Sequence, residues 1–201
     1  MHNLRMRIVI AATLLALTTT TARADEAAET KACNAGKATQ CEQLAERYLQ
    51  GLDGSTKDEK KGMGFLEKAC NLKSGRACNN LGTAWSEGKE GASAVDHVKA
   101  RKFYEKACGL KSGLGCFNLG NVHRLGEDVP VDLKLAFANF KKSCDFNEAK
   151  GCTELGILYY EGKAVKKDVK MATELLEKAC KLGSDTACKN VKILKDAAAK
   201  Q

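Results

Sequence analysis

Between residues 41 and 162 one pattern of apolar and polar positions recurs four times. The stretches CEQLAERYLQG from Cys41, CNNLGTAWSEG from Cys78, CFNLGNVHRLG from Cys116 and CTELGILYYEG from Cys152 share their columns. Leucine stands three residues after the cysteine (Leu44, Leu81, Leu119, Leu155), and a small residue four after it (Ala45, Gly82, Gly120, Gly156). A ring stands seven after it (Tyr48, Trp85, His123, Tyr159). Offsets of 0, 3, 4 and 7 lie on one face of an α-helix, and the glycine ten residues on (Gly51, Gly88, Gly126, Gly162) supplies a C-terminal stop. Each stretch is predicted to be a helix, here called an A helix.

A second helical pattern, the B helix, precedes another set of cysteines: GMGFLEKAC, ARKFYEKAC, AFANFKKSC and ATELLEKAC. Eight residues before that cysteine stand the small residues Gly62, Ala100, Ala136 and Ala172, and four before it the larger Leu66, Tyr104, Phe140 and Leu176. Small positions let neighbouring helices approach, and large ones fill the space between them. The pattern predicts repeats over 38–73, 75–111, 113–147 and 149–183, preceded by a helical fragment near 26–35 and closed by a capping helix over 185–199. In that last helix Lys189, Lys192, Lys195 and Lys200 surround Val191 and Leu194, giving one apolar edge and one wet face. A period of this size marks a solenoid, in which each unit buries its apolar face only by stacking on neighbours.

The ten cysteines fall as Cys33/Cys41, Cys70/Cys78, Cys108/Cys116, Cys144/Cys152 and Cys180/Cys188, always with seven residues between them. On one continuous helix the two Cα atoms of a pair would be about 12 Å apart, beyond disulfide reach. The chain must therefore turn between them. NLKSGRA carries a serine and a glycine for such a turn, with GLKSGLG, DFNEAKG and KLGSDTA in the same place, so each bridge is expected to tie the end of a B helix to the start of the next A helix. A nine-residue closed loop contributes roughly 2.6 kcal/mol by the chain-entropy account, and five such loops about 13 kcal/mol if additive. That compares with the whole stability of an ordinary domain, so bridges can substitute for a core poor in aromatic residues.

Composition changes this picture mainly through the first segment. MHNLRMRIVIAATLLALTTTTARA has Arg5 and Arg7 before an apolar run from Ile8 to Leu17 and then Ala22-Arg23-Ala24, which reads as a signal peptide over 1–24 with cleavage after Ala24. The run is too short for a stable membrane anchor. The expected product, 25–201, is one repeat domain in the periplasm or outside the cell, where an even cysteine count reads as disulfides. The full chain carries a net charge of +8, spread as scattered lysine, which is the pattern of a solvated surface. Nucleic acid is not an expected partner; weak attraction to anionic envelope polymers is.

The KAC/AC pairs with the N-L-G and Y-x-x-G columns resemble Sel1-like repeats, and the C-x7-C staple resembles the Helicobacter cysteine-rich protein branch of that family. The first unit departs from the pattern, with Ala45 in place of glycine and a GLDGST loop lacking the valine kept as Val95, Val131 and Val165. The resemblance implies an all-α, right-handed αα-solenoid of Sel1/TPR-like repeats with one disulfide per repeat junction, presenting a concave surface to partners. It also implies a competing activity, because some cysteine-rich relatives are described as penicillin binders or weak β-lactamases.

Ser86-Glu87-Gly88-Lys89 matches S-x-x-K, the spacing that sets a lysine one helical turn from a nucleophilic serine. It falls at the expected end of an A helix, K-T-G is absent, and Ser184-Asp185-Thr186 is a poor echo of S-D-N, so Ser86 and Lys89 read as a chance match. His97 and His123, the only histidines beyond residue 24, fit a solvated side chain and a packed ring. With the cysteines committed to bridges, no metal site and no cofactor is expected.

A noncatalytic interaction module is the preferred reading, with a protein or peptide partner in the envelope or host, or peptidoglycan fragments. Two, six and nine residues after the second cysteine lie side chains off the core face of helix A. They are Gln43, Arg47 and Gln50; Asn80, Ala84 and Glu87; Asn118, Val122 and Leu125; Glu154, Leu158 and Glu161. If the A helices line the binding surface, Gln43, Arg47, Asn80, Asn118, Val122, Glu154 and Leu158 contact the partner. The amides of Gln43, Asn80, Asn118 and Asn190 suit either an extended peptide or glycan, or contacts between successive turns of the array. Val122, Ile157 and Leu158 make the later units the more apolar end, where a partner's anchor residue is expected. Peptide mapping of the nonreduced protein checks the staples: each Cys-x7-Cys segment is expected as an internally crosslinked peptide, and a free thiol or a distant pairing would overturn the hairpin reading.

Overall fold

The structure, a computed structural model, describes residues 25–52, 55–89 and 91–198. The predicted signal segment and Lys200 lie outside them. Among the described residues there are ten helices and no strand. Helix α1 covers 25–34. It is followed by α2 (Ala38–Gln50), α3 (Glu59–Asn71), α4 (Gly75–Glu87), α5 (His97–Gly109), α6 (Gly113–Leu125), α7 (Leu133–Asp145), α8 (Ala149–Glu161), α9 (Val169–Lys181) and α10 (Asp185–Ala198). The described residues cluster into two compact units, one running to Ser74 and including Gly91 and Ala92, the other comprising 75–89 and 93–198.

Within the first unit α2 packs against α3. Helix α1 is fastened to α2 by the Cys33–Cys41 bridge, by an Arg47–Glu29 ion pair at 2.9 Å, and by a hydrogen bond from the Tyr48 hydroxyl to Glu26. Burial pushes the Tyr48 phenol up, and its bond to Glu26 adds to the shift. Within the second unit α4 packs on α5, α6 on α7 and α8 on α9, while α4 also touches α6 and α6 touches α8. Within this unit the A helices α4, α6 and α8 lie side by side, and each carries its own B helix.

Each A-to-B connection closes in the same way. The A helices end on Gly51, Gly88, Gly126 and Gly162 with φ of 69°, 63°, 77° and 71°, the left-handed region where a side chain is penalised. The chain then reaches an aspartate whose N–H donates to the carbonyl of the ring residue: Asp58 to Tyr48, Asp96 to Trp85 and Asp132 to His123 at 2.8 Å, and Asp168 to Tyr159 at 3.0 Å. The same aspartates accept from the backbone N–H of Lys61, Lys99, Leu135 and Met171 at 2.9 Å, capping the B helices. The ring column thus does double duty, its side chain in the core and its carbonyl in the loop closure. The Lys99 backbone N–H, and secondarily its ammonium, hold the Asp96 carboxyl below its ordinary value. A depressed carboxyl stabilises the fold above its unfolded pKa, and that contribution disappears as pH falls through the folded value.

The B-to-A turn differs from the expectation that its glycine makes the bend. The left-handed residue comes three positions after the first cysteine: Gly36 (φ 90°), Lys73 (68°), Lys111 (62°), Asn147 (61°) and Gly183 (95°). Gly75 and Gly113 instead lie inside helices. A Cβ on Gly113 would stand 2.7 Å from Glu148 Cβ, and one on Gly75 3.3 Å from Leu110 Cβ, so these glycines permit close approach of the next repeat. The turn brings the paired cysteines to Cα separations of 4.8 Å (Cys33–Cys41), 4.5 Å (Cys108–Cys116), 4.4 Å (Cys144–Cys152) and 4.7 Å (Cys180–Cys188). No described cysteine is free.

Large and small columns interlock across the hairpins of the second unit. A Cβ on Gly82 would come within 2.5 Å of the Tyr104 ring, one on Gly120 within 2.5 Å of the Phe140 ring, and one on Gly156 within 2.9 Å of Leu176. The A helix gives up a side chain where the B helix inserts its bulkiest one. Phe140 is fully buried as a result, at the centre of a cluster with Ala136, Leu155, Leu158 and Leu176. Two substitutions separate these demands in chemical denaturation. Lys111→Gly is expected to stabilise by about 0.5–1 kcal/mol, the left-handed penalty removed less the extra backbone entropy of glycine. Gly120→Ala is expected to destabilise by about 1–3 kcal/mol through overpacking on Phe140.

Candidate partner-binding face

The positions expected to contact a partner separate into two kinds. Six residues after the second cysteine, Arg47, Ala84, Val122 and Leu158 are 7%, 2%, 2% and 4% exposed. They are core residues, because this offset sits beside the leucine column and turns against the neighbouring helix. Arg47 spends its charge on Glu29, and Val122 and Leu158 belong to the buried clusters around Tyr104 and Phe140. Two residues after the cysteine, Gln43 and Asn80 are exposed, while Asn118 and Glu154 are half-buried. The Asn118 amide donates to Asn79 Oδ1 at 2.8 Å, so α6 uses this column to hold α4. Of the two roles open to that amide, the structure records the contact between successive turns. Gln50, Glu87, Leu125 and Glu161 are exposed.

One column was missed by the sequence analysis. Five residues after the second cysteine stand Glu46, Thr83, Asn121, Ile157 and Ile193, opposite the core face; Glu46 and Ile193 are exposed and the others half-buried. The series runs from charged to apolar along the chain, and that gradient is readable in the sequence once offset five replaces offset six. At its apolar end Ile157, Tyr160, Leu176, Asn190, Ile193 and Leu194 line a cavity of about 170 Å³ between α8, α9 and α10. Ile193 is 64% exposed and Tyr160 43%. The Lys167 ammonium lies 5.1 Å from the Tyr160 ring centroid, a cation–π contact at the rim. Asn190 is the one amide in an otherwise apolar or aromatic lining. A cavity of roughly 150 Å³ accommodates a benzene ring, so this one has room for a single large apolar side chain.

The residues matching S-x-x-K straddle the end of a helix. Ser86 is on α4, but Gly88 turns the chain out of the helix before Lys89, whose ammonium is 3.1 Å from Glu87. Ser184 caps α10 by accepting from the Ala187 N–H at 3.2 Å, and its hydroxyl is 3.2 Å from that of Thr153. Burial pushes the nearby Tyr104 phenol up, which disfavours it as a base. His97 Nδ1 is 3.6 Å from Glu127, and the His123 side chain is half-buried in the ring column. Among the described residues no group of three or more His, Cys, Asp or Glu side chains stands ready for a metal.

Comparison with known proteins places this geometry. The family model described as the Sel1 repeat matches residues 41–74, 75–112, 113–145 and 149–184. No curated protein matches the chain. A solved protective antigen of uropathogenic Escherichia coli, described as displaying an SLR fold, superposes with a TM-score of 0.78 at 25% identity, over 86% of this chain and 36% of its own. A Sel1 repeat protein from Oxalobacter formigenes gives 0.69 at 21% identity, over 78% of this chain and 63% of its own. The chain thus spans less than two thirds of either. The Helicobacter pylori cysteine rich protein B is 38% identical, with a TM-score of 0.54, over 68% of this chain and 98% of its own. The oxidised protein incubated with a chromogenic cephalosporin is expected to give no turnover above buffer; hydrolysis abolished by Ser86→Ala would favour the enzyme reading.

Proposed function

The chain belongs to the Sel1 repeat family, and from that premise we propose that it is an exported, disulfide-stapled scaffold that binds a protein or peptide partner through the outward face of its A helices. Sel1 repeats generally mediate protein interactions, and a fold whose cysteines are all bridged is at home in an oxidising compartment. Among the described residues no helix is long and apolar enough to cross a membrane. Cleavage near Ala24 and residence in the periplasm or outside the cell complete the reading. Peptidoglycan fragments are the second ligand class, suited to the exposed amides Gln43 and Asn80.

The observation that carries the proposal is the apolar end of the offset-five column. An isoleucine 64% exposed beside a ring-sized cavity is an anchor site, because it costs solvation in the free protein and gains burial only when something fills the space. The polar positions at offsets two and nine would rim the contact, an arrangement typical of interaction surfaces. Photo-crosslinking in intact cells, read by mass spectrometry, tests the assignment. Ile193→Glu is expected to reduce capture of the crosslinked partner by about tenfold or more, whereas Gln50→Ala in the first repeat leaves it within twofold. Equal capture by both variants would remove this cavity as the anchor.

A further inference from the structure

The bridges are not equally accessible. Eight cysteines, from Cys33 through Cys152, are between 0% and 7% exposed. Cys180 and Cys188 are both half-buried, which makes theirs the most exposed of the five pairs. It joins the end of α9 to the start of α10.

Helix α10 is also the least locked of the A-type helices. At the offsets that carry a small residue and a ring in α4, α6 and α8, it has Lys192 and Lys195. The face that receives a B helix elsewhere is therefore polar. Its hold on the second unit comes from buried Ala187, from half-buried Val191 and Leu194, and from Lys195 reaching Glu177 at 2.7 Å in solvent. Asn190, Ile193 and Leu194 of this helix form one wall of the cavity. The covalent link that positions that wall is the accessible one.

We infer that Cys180–Cys188 is a redox-addressable staple, and that its reduction by a small thiol frees α10 and dismantles the α8–α10 cavity. A thiolate attacks one sulfur in line with the bridge and forms a mixed disulfide, expelling the other sulfur as a thiolate that takes up a proton. A second thiol then displaces the protein sulfur. Two protein thiols and one oxidised disulfide of the reductant result, so two electrons pass from the thiols to the bridge. The buried bridges resist because the attacking sulfur has no approach path. As regulation of partner binding, the inference rests on the function proposed above; as a statement about the bridge and the helix, it does not.

The full oxidised chain is treated with limiting dithiothreitol, quenched with iodoacetamide over a time course, and mapped by peptide mass spectrometry. Cys180 and Cys188 are expected to be alkylated about tenfold or more faster than any other pair. Hydrogen exchange on the same samples is expected to show α10 amides losing protection while those of α6 to α8 keep theirs. The variant carrying Cys180→Ser and Cys188→Ser is expected to show the α10 exchange of the partly reduced protein without reductant. Alkylation of another pair first or at an equal rate overturns the inference, as does unchanged α10 protection after the bridge is open. Neither readout involves a partner. Loss of the crosslinking result with these intact therefore counts against the proposed function alone.

Discussion

The structure depends on reversing the chain between two cysteines with only seven residues to do it. The reversal needs a left-handed residue three places after the first cysteine, and lysine holds that place at Lys73 and Lys111 against its own backbone preference. The helices must also approach closely at the junction. Gly115 faces Ala107 there, with 2.5 Å between an added Cβ and the alanine methyl, and Gly151 faces Ser143. The bridge then holds a turn whose local conformation is costly, and relieves the short helices of having to be stable alone.

Once the hairpins are closed, the rest of each repeat follows from volume. The B helix brings Tyr104, Phe140 or Leu176 against the bare backbone of a glycine on the A helix, so the interhelical space is filled from one side only. Core packing consumes offsets 0, 3, 4, 6 and 7 of the A helix and leaves 2, 5 and 9 to face outward. The outward face is what remains after packing. Its offset-five column becomes apolar at α8 and α10, where Ile157 and Ile193 replace the polar residues of earlier repeats.

Much of this was legible in the residues. The cysteine spacing required a turn, the leucine, small and ring columns defined the A helices, and the alternation of small and large positions defined the B helices, because periodicity reports which residues share a face. The aspartates at Asp58, Asp96, Asp132 and Asp168 were equally periodic, yet a capping role is visible only when a loop brings the carboxylate over the next helix. The turn glycines were misplaced for a related reason: in KSG the serine and glycine suit a bend, but Gly75 and Gly113 serve contacts with residues more than thirty positions away.

The sequence by itself determined the helices, their pairing into hairpins and the commitment of every cysteine, since these rest on contacts within a few turns of chain. Only the tertiary structure decided which outward columns are free. Offset six lies at the edge of the core stripe beside the leucine column, where a helical projection does not decide burial, and packing against a neighbouring helix buries it. The same neighbour binds Asn118 through Asn79, and α9 supplies Leu176 as the floor of the α8–α10 cavity. Which residues stay on the outward face is thus set by the distance between adjacent repeats, a quantity fixed by packing across repeats and not by any one repeat's own pattern.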